Sequence, residues 1–150
     1  MKFVIMTLLA LSFQANAQTE TVVNVTDYNA CGSYTPGNQD IEGSWQMTQT
    51  QGEFSFTGIL DFNHGTLTAI NECSFRGRSL RAQIQGPASY GNGRINVNYS
   101  ANRTEEINEN GFHLDCSVSM QPTALNYSFR GRCLVLTQAG SNQEIVMVPR

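Results

Sequence analysis

From Gly43 onward the chain alternates apolar and polar residues with a period of two, the pattern of antiparallel strands that bury one face. Phe54, Phe56, Leu60 and Phe62 share one side, and Ser55, Thr57 and Asp61 the other. Asn63-His64-Gly65 then turns the chain, because Asn, Gly and their neighbours tolerate the positive φ of tight hairpins. A second strand follows from Thr66 to Phe75. Leu80, Ala82 and Ile84 alternate with Arg81, Gln83 and Gln85 until Gly86-Pro87 breaks the run. After Tyr90-Gly91-Asn92-Gly93, a strand places Ile95, Val97 and Tyr99 on one face. The polar stretch Asn102–Gly111 offers almost nothing to bury and reads as a loop or an extended hairpin end. Phe112, Leu114, Cys116, Val118 and Met120 point inward on the next strand, and Gln121-Pro122-Thr123 turns into Leu125, Tyr127 and Phe129. Two last strands run from about Cys133 to Gln138 and from Glu144 to Val148.

This grammar predicts an all-β chain: a single antiparallel up-and-down barrel of eight or nine strands, with a β-sandwich as the alternative. One-sided alternation favours an antiparallel sheet, and a sheet of this many twisted strands curls closed or folds on itself to protect its edges. Meander connections favour closure. The pentapeptide Ser-Phe-Arg-Gly-Arg occurs twice, at Ser74–Arg78 and Ser128–Arg132, each time where one strand stops and the next begins. The flanking residues do not extend the match, so two similar hairpin tips are expected rather than a duplicated domain.

Residues 1–17 have one charge, at Lys2, an apolar run from Phe3 to Phe13 and the small-residue ending Ala15-Asn16-Ala17, which reads as a signal peptide cleaved before Gln18. The run is too short to span a bilayer. Residues 18–42, rich in Thr, Asn, Gly and Asp, read as an N-terminal arm, and 43–150 as the barrel. Without Lys2 the chain keeps eight basic residues, all arginine, against 12 acidic ones, a balance that argues against a nucleic-acid partner. An exported chain with Cys31, Cys73, Cys116 and Cys133 is expected to carry two disulfides in a secreted or periplasmic setting. Four cysteines allow three pairings. Placing Cys73, Cys116 and Cys133 at one barrel end favours Cys116 with Cys133 and Cys31 with Cys73. A zinc site lacks the usual Cys-x-x-Cys spacing.

Gly43 and Trp45, in the stretch Ile41-Glu42-Gly43-Ser44-Trp45, resemble the Gly-x-Trp signature that opens the first strand of lipocalin-like proteins, the calycin barrels. The resemblance implies that Trp45 closes the barrel floor and that a late arginine, here Arg150, packs across its ring, a cation–π arrangement. Thr26-Asp27-Tyr28 precedes the signature and so is not the later element of typical lipocalins, and no C-terminal helix is read. The chain is more similar to the shorter secreted bacterial metalloprotease inhibitors, which pair such a barrel with an N-terminal arm.

Catalytic chemistry is not expected. His64 lies in a turn and His113 on an outward face, without a nucleophile motif, and oxidised cysteines offer no thiolate. Glu105, Glu106 and Glu109 sit in the polar stretch without an aromatic sugar platform nearby. Asp61 with His64, and His113 with Asp115, are each too few for a metal site, so neither metal nor cofactor is expected. Sequons at Asn24, Asn98, Asn102 and Asn126 matter only in a glycosylating cell. Two features suggest binding. Arg76, Arg78, Arg130 and Arg132 would form a cationic rim if both turns emerge at one end, and the inward aromatics, among them Phe56, Tyr99 and Tyr127, would line a calyx. The expected function is therefore a non-enzymatic binding protein holding a small apolar or amphiphilic molecule near the arginine rim. The alternative is a protein-binding module such as a secreted protease inhibitor whose arm enters an enzyme cleft, with a hydrolase as a remote third.

Overall fold

The computed structural model describes residues 11–16, 30–32, 39–138 and 140–150, with the backbone alone for 11–16. The described chain is built of strands: β1 (Leu11–Asn16), β2 (Gly43–Gln51), β3 (Phe54–Asn63), β4 (Thr66–Phe75), β5 (Arg78–Gly91), β6 (Arg94–Val97), β7 (Ala101–Glu109), β8 (Phe112–Met120), β9 (Thr123–Arg130), β10 (Cys133–Gln138) and β11 (Glu144–Pro149). Eight of them close an antiparallel barrel in the order β10-β11-β2-β3-β4-β5-β6-β9. A barrel rather than a sandwich is thus the form adopted. The other three form a separate sheet, β1-β8-β7. The polar stretch, read as a loop or an extended hairpin end, is a full strand: β7 pairs with β8 from Ala101↔Met120 to Glu109↔Phe112.

Most turns follow from their residues. His64-Gly65, Arg76-Gly77, Asn92-Gly93 and Asn110-Gly111 each link two strands through two residues that both have positive φ, the I′ conformation whose twist matches that of the flanking strands. Gly86-Pro87 does not end a strand. β5 runs through it, pairing with β4 as far as Thr66↔Pro87 and with β6 from Ala88↔Val97, so the pair marks a change of partner. The Tyr99 ring lies so close over Gly86 that a Cβ there would meet it at 2.5 Å.

The register puts one face of every wall strand inside. Across β2 to β5, Gln49↔Phe56, Phe56↔Cys73 and Cys73↔Leu80 form one inward row. Phe54, Phe56, Leu60, Phe62, Leu67, Ile95 and Leu125 are at most 1% exposed, and burying each such side chain contributes about 1.5–3 kcal/mol. An outer row is apolar as well: Val135 and Val146, partners on β10 and β11, pack with Cys31 and Val148 in a second, smaller cluster.

Following the strands up and down separates two ends. The floor end carries Trp45 and the loops at His64, Asn92 and Gly131; the mouth end carries the loops at Gly52 and Arg76 and the link through β7 and β8. The two copies of the repeated pentapeptide therefore lie at opposite ends, and the four arginines form no common rim. The missed strand is the cause: β7 adds one reversal between the copies and so changes which end the second one reaches. The copies also turn differently. In the first, Arg76-Gly77 is the loop and Phe75 pairs with Arg78. In the second the loop is Gly131-Arg132, one residue later, and Arg130 pairs with Cys133.

Gly131 is buried against the arm, where a Cβ would run into the carbonyl oxygens of Cys31 and Gly32, and Arg132 N donates to Cys31 O at 2.8 Å. Around Gly77 a Cβ would meet nothing within 4 Å. Gly77→Ala should therefore cost only the positive-φ strain, about 1 kcal/mol, while Gly131→Ala should cost at least about 2 kcal/mol more by displacing backbone. Urea unfolding of the two variants checks this, and equal losses would remove the distinction.

Candidate functional site

The mouth of the barrel is filled by the chain itself. Leu114, Cys116, Val118 and Met120 of β8 are at most 1% exposed and belong to the main core, and Cys116 is disulfide-bonded to Cys73 on the inward row of β4. Asn71, fully buried on the same row, donates its side-chain amide to Ser117 O. At the hairpin tip Phe112 stacks on Phe75 with ring centroids 5.9 Å apart. Arg78 lies 5.3 Å over the Phe112 ring and bonds Glu109 at 2.8 Å, and Arg76 lies over Phe75 and bonds Glu53 at 3.0 Å. These ion pairs are exposed, so each stabilises little; what they do is align the tip with the turns beside it.

The second disulfide joins Cys31 to Cys133 on the outer face at the floor end. The pairing is thus Cys31–Cys133 and Cys73–Cys116, not the one favoured by placing three cysteines at one end. Cys133 opens β10 at the floor and its side chain faces outward, whereas Cys73 faces inward nearer the mouth. Cys31 ties residues 30–32 to the barrel; residues 18–29 and 33–38 of the arm, and most of 1–17, lie outside the described residues.

At the floor end three aromatic side chains reach the surface, against Phe112 alone at the hairpin tip. Trp45 is buried, donates its ring N–H to Ile41 O at 2.8 Å, and packs against Phe129 at 5.7 Å. The arginine expected over its ring is elsewhere: Arg150 reaches along the outer face to Glu72, 4.0 Å away. Tyr127 meets Phe129 edge-on at 5.9 Å, and Tyr90 meets Phe62 at 5.2 Å. Tyr90, Tyr127 and Phe129 are all half-buried. Tyr90 Oη accepts from Gly65 N and donates to Glu42 Oε1 at 2.7 Å, and the same carboxylate accepts from His64 N. Burial raises the Tyr90 pKa, and the bond to Glu42 acts in the same direction. Burial likewise raises that of Tyr99, whose hydroxyl approaches Leu67 O inside the barrel.

Besides Arg150, three arginines stand on this floor: Arg94 and Arg130 at strand ends and Arg132 in the turn between β9 and β10. Arg130 reaches Glu144 at 3.3 Å. Arg94 and Arg132 are exposed and make no ion pair among the described residues. Of the expected binding residues, then, Tyr127, Arg130 and Arg132 fall at the floor, Arg76 and Arg78 at the mouth, Phe56 in the packed interior, and Tyr99 half-buried against Gly86. Sequence reasoning placed Phe129 among the inward aromatics but did not single out Tyr90 and Arg94, although each flanks a tight turn at a strand end.

The remaining candidates lie apart. His113 Nε2 and Asp115 Oδ2 are 3.0 Å apart on β8, and His64 sits in its hairpin tip. No group of three or more metal-ligating side chains occurs among the described residues. A groove of about 410 Å³ opens on the outer face between β3, β4 and β5, lined chiefly by Ser55, Thr57, Glu72, Ser74, Ser79 and Arg81. Among the described residues no helix is long and apolar enough to cross a membrane.

The architecture, an all-strand closed barrel of eight antiparallel strands, is compatible with the calycin-like resemblance of Gly43 and Trp45. No family model, curated protein or solved structure matches the chain.

Non-reduced peptide mapping should recover the Cys31–Cys133 and Cys73–Cys116 links. Closing loops of 43 and 102 residues, each contributes up to about 4–5 kcal/mol. Replacing Cys73 and Cys116 by Ser should speed amide exchange across β7 and β8 well before the wall strands open. Replacing Cys31 and Cys133 should leave the hairpin's exchange unchanged, and uniform acceleration in both variants would contradict this division.

Proposed function

We propose that this is a secreted, non-enzymatic protein-binding module that meets its partner with the floor end of the barrel and the arm tethered beside it. The observation that carries the reading is the half-buried trio Tyr90, Tyr127 and Phe129 at one end, with Trp45 beneath Phe129 and, at the rim, Arg94 and Arg132, which make no ion pair among the described residues. Aromatic and arginine side chains on a rigid base are the residues that dominate protein interfaces, because they bury much area at little entropic cost. The opposite end, where a calyx would admit a small ligand, is occupied by β8 and its disulfide. Two disulfides fit an oxidising compartment, and residues 1–17 supply the export signal in this reading. Cys31, bonded beside Gly131, brings the arm to the floor, which is consistent with the inhibitor-like alternative read from the sequence.

The test places a photo-crosslinking phenylalanine analogue at Tyr127 and, as a control, at Thr57 on the outer face, in protein incubated with the secreted proteins of its source. A discrete adduct from position 127 that is absent from position 57, and that weakens at least about tenfold with Tyr90→Ala, is the expected result. No adduct at 127, together with saturable binding of an apolar dye that quenches Trp45, would replace the reading with that of a small-molecule carrier.

A further inference from the structure

β8 is the middle strand of its sheet, with β7 on one edge and β1 on the other. β1 pairs along six residues, from Leu11↔Met120 to Asn16↔Asp115. Those six residues belong to the stretch that the secreted reading removes. The barrel does not depend on them: its eight wall strands and both disulfides lie within 31–150. Removal leaves an open strand edge from Asp115 to Met120, held rigid by the disulfide at Cys116 and by the buried Leu114, Val118 and Met120.

We propose that this edge of β8 is a second binding site, which takes an extended segment of a partner protein as an added strand; the proposal rests on the leader being removed, as in the function proposed above. An open edge presents unpaired N–H and C=O groups that pair readily with another chain. The seated strand defines what fits: Leu, Phe and Ala stand opposite Met120, Val118 and Cys116, with the uncharged Ser, Gln and Asn between them. The occupant is accordingly a six-residue segment, apolar at every second position and free of charge.

The experiment uses the exported protein recovered after expression of the full chain, its N-terminus read by mass spectrometry, and a labelled nonapeptide of the sequence of residues 9–17. Saturable binding, at least about tenfold tighter than that of a scrambled peptide, with a matching slowing of amide exchange confined to β8, is expected for a monomeric protein beginning at Gln18. Four outcomes overturn the proposal: no peptide binding, recovery with residues 1–17 still attached, slow exchange on the β8 edge in the peptide-free monomer, or a dimer in sedimentation whose β8 edges protect one another. None of these bears on cross-linking at Tyr127, so the floor-end reading stands or falls separately.

Discussion

The seating of β8 on the inward face of β4 and β5 is the interaction on which the rest of the molecule depends. An eight-stranded barrel has an interior just wide enough to be filled by side chains or to hold one small ligand. Here part of that choice is made by a strand of the chain itself. Leu114, Cys116, Val118 and Met120 complete the core from the mouth side, and Asn71 satisfies a β8 carbonyl from within it. That end is closed by apolar burial and a covalent bond, and three half-buried aromatics, Tyr90, Tyr127 and Phe129, stand at the other.

The two disulfides divide the work along the barrel axis. Cys73–Cys116 acts inside, joining wall and hairpin across a loop of moderate length, while Cys31–Cys133 acts outside, joining the arm to the floor. Around the second bond the backbone is tight: Gly131 is buried, Gln39 Nε2 donates to its carbonyl, and Arg132 N donates to Cys31 O. The arm's root is therefore part of the rigid body, and anything it presents is presented from a fixed point next to Phe129 and Arg132. A fixed root lowers the ordering cost of binding, which favours a surface that recognises over one that adapts.

Much of the wall could be read from alternation alone, because each wall strand buries one face and the burial demands period two. The inward rows from Phe54 to Phe62 and from Leu125 to Phe129 are where the pattern puts them. What escaped was β7. Its residues are half-buried at Ala101, Glu105 and Ile107 and exposed elsewhere, so its strand character comes from the backbone ladder with β8 and from the Asn110-Gly111 turn, not from a hydrophobic face. That omission propagated: one missing reversal sent Cys133 and the second arginine turn to the wrong end, and with them the disulfide pairing and the arginine rim. Trp45 was legible as an inward residue of the strand that opens at Gly43, whereas its ring partner Phe129 was not, since ring contacts across a closed barrel have no local signature.

The repeated pentapeptide shows how far a local sequence determines a turn. Both copies place a phenylalanine on the inward face and reverse the chain within a few residues, as hairpin tips should. In the first copy a Cβ on Gly77 would meet nothing within 4 Å, and the turn takes the I′ form at Arg76-Gly77 with its arginines paired to Glu53 and Glu109 while covering Phe75 and Phe112. In the second, Cys31 and Gly32 occupy the space a side chain would need, so the glycine must sit where the arm crosses, and the turn moves one residue along. That shift leaves Arg130 paired into β10 and aimed at Glu144, and Arg132 alone in the loop. Identical sequence thus yields a fastening at the mouth and, at the floor, a charge with no ion-pair partner among the described residues, and the difference comes from what packs against the glycine.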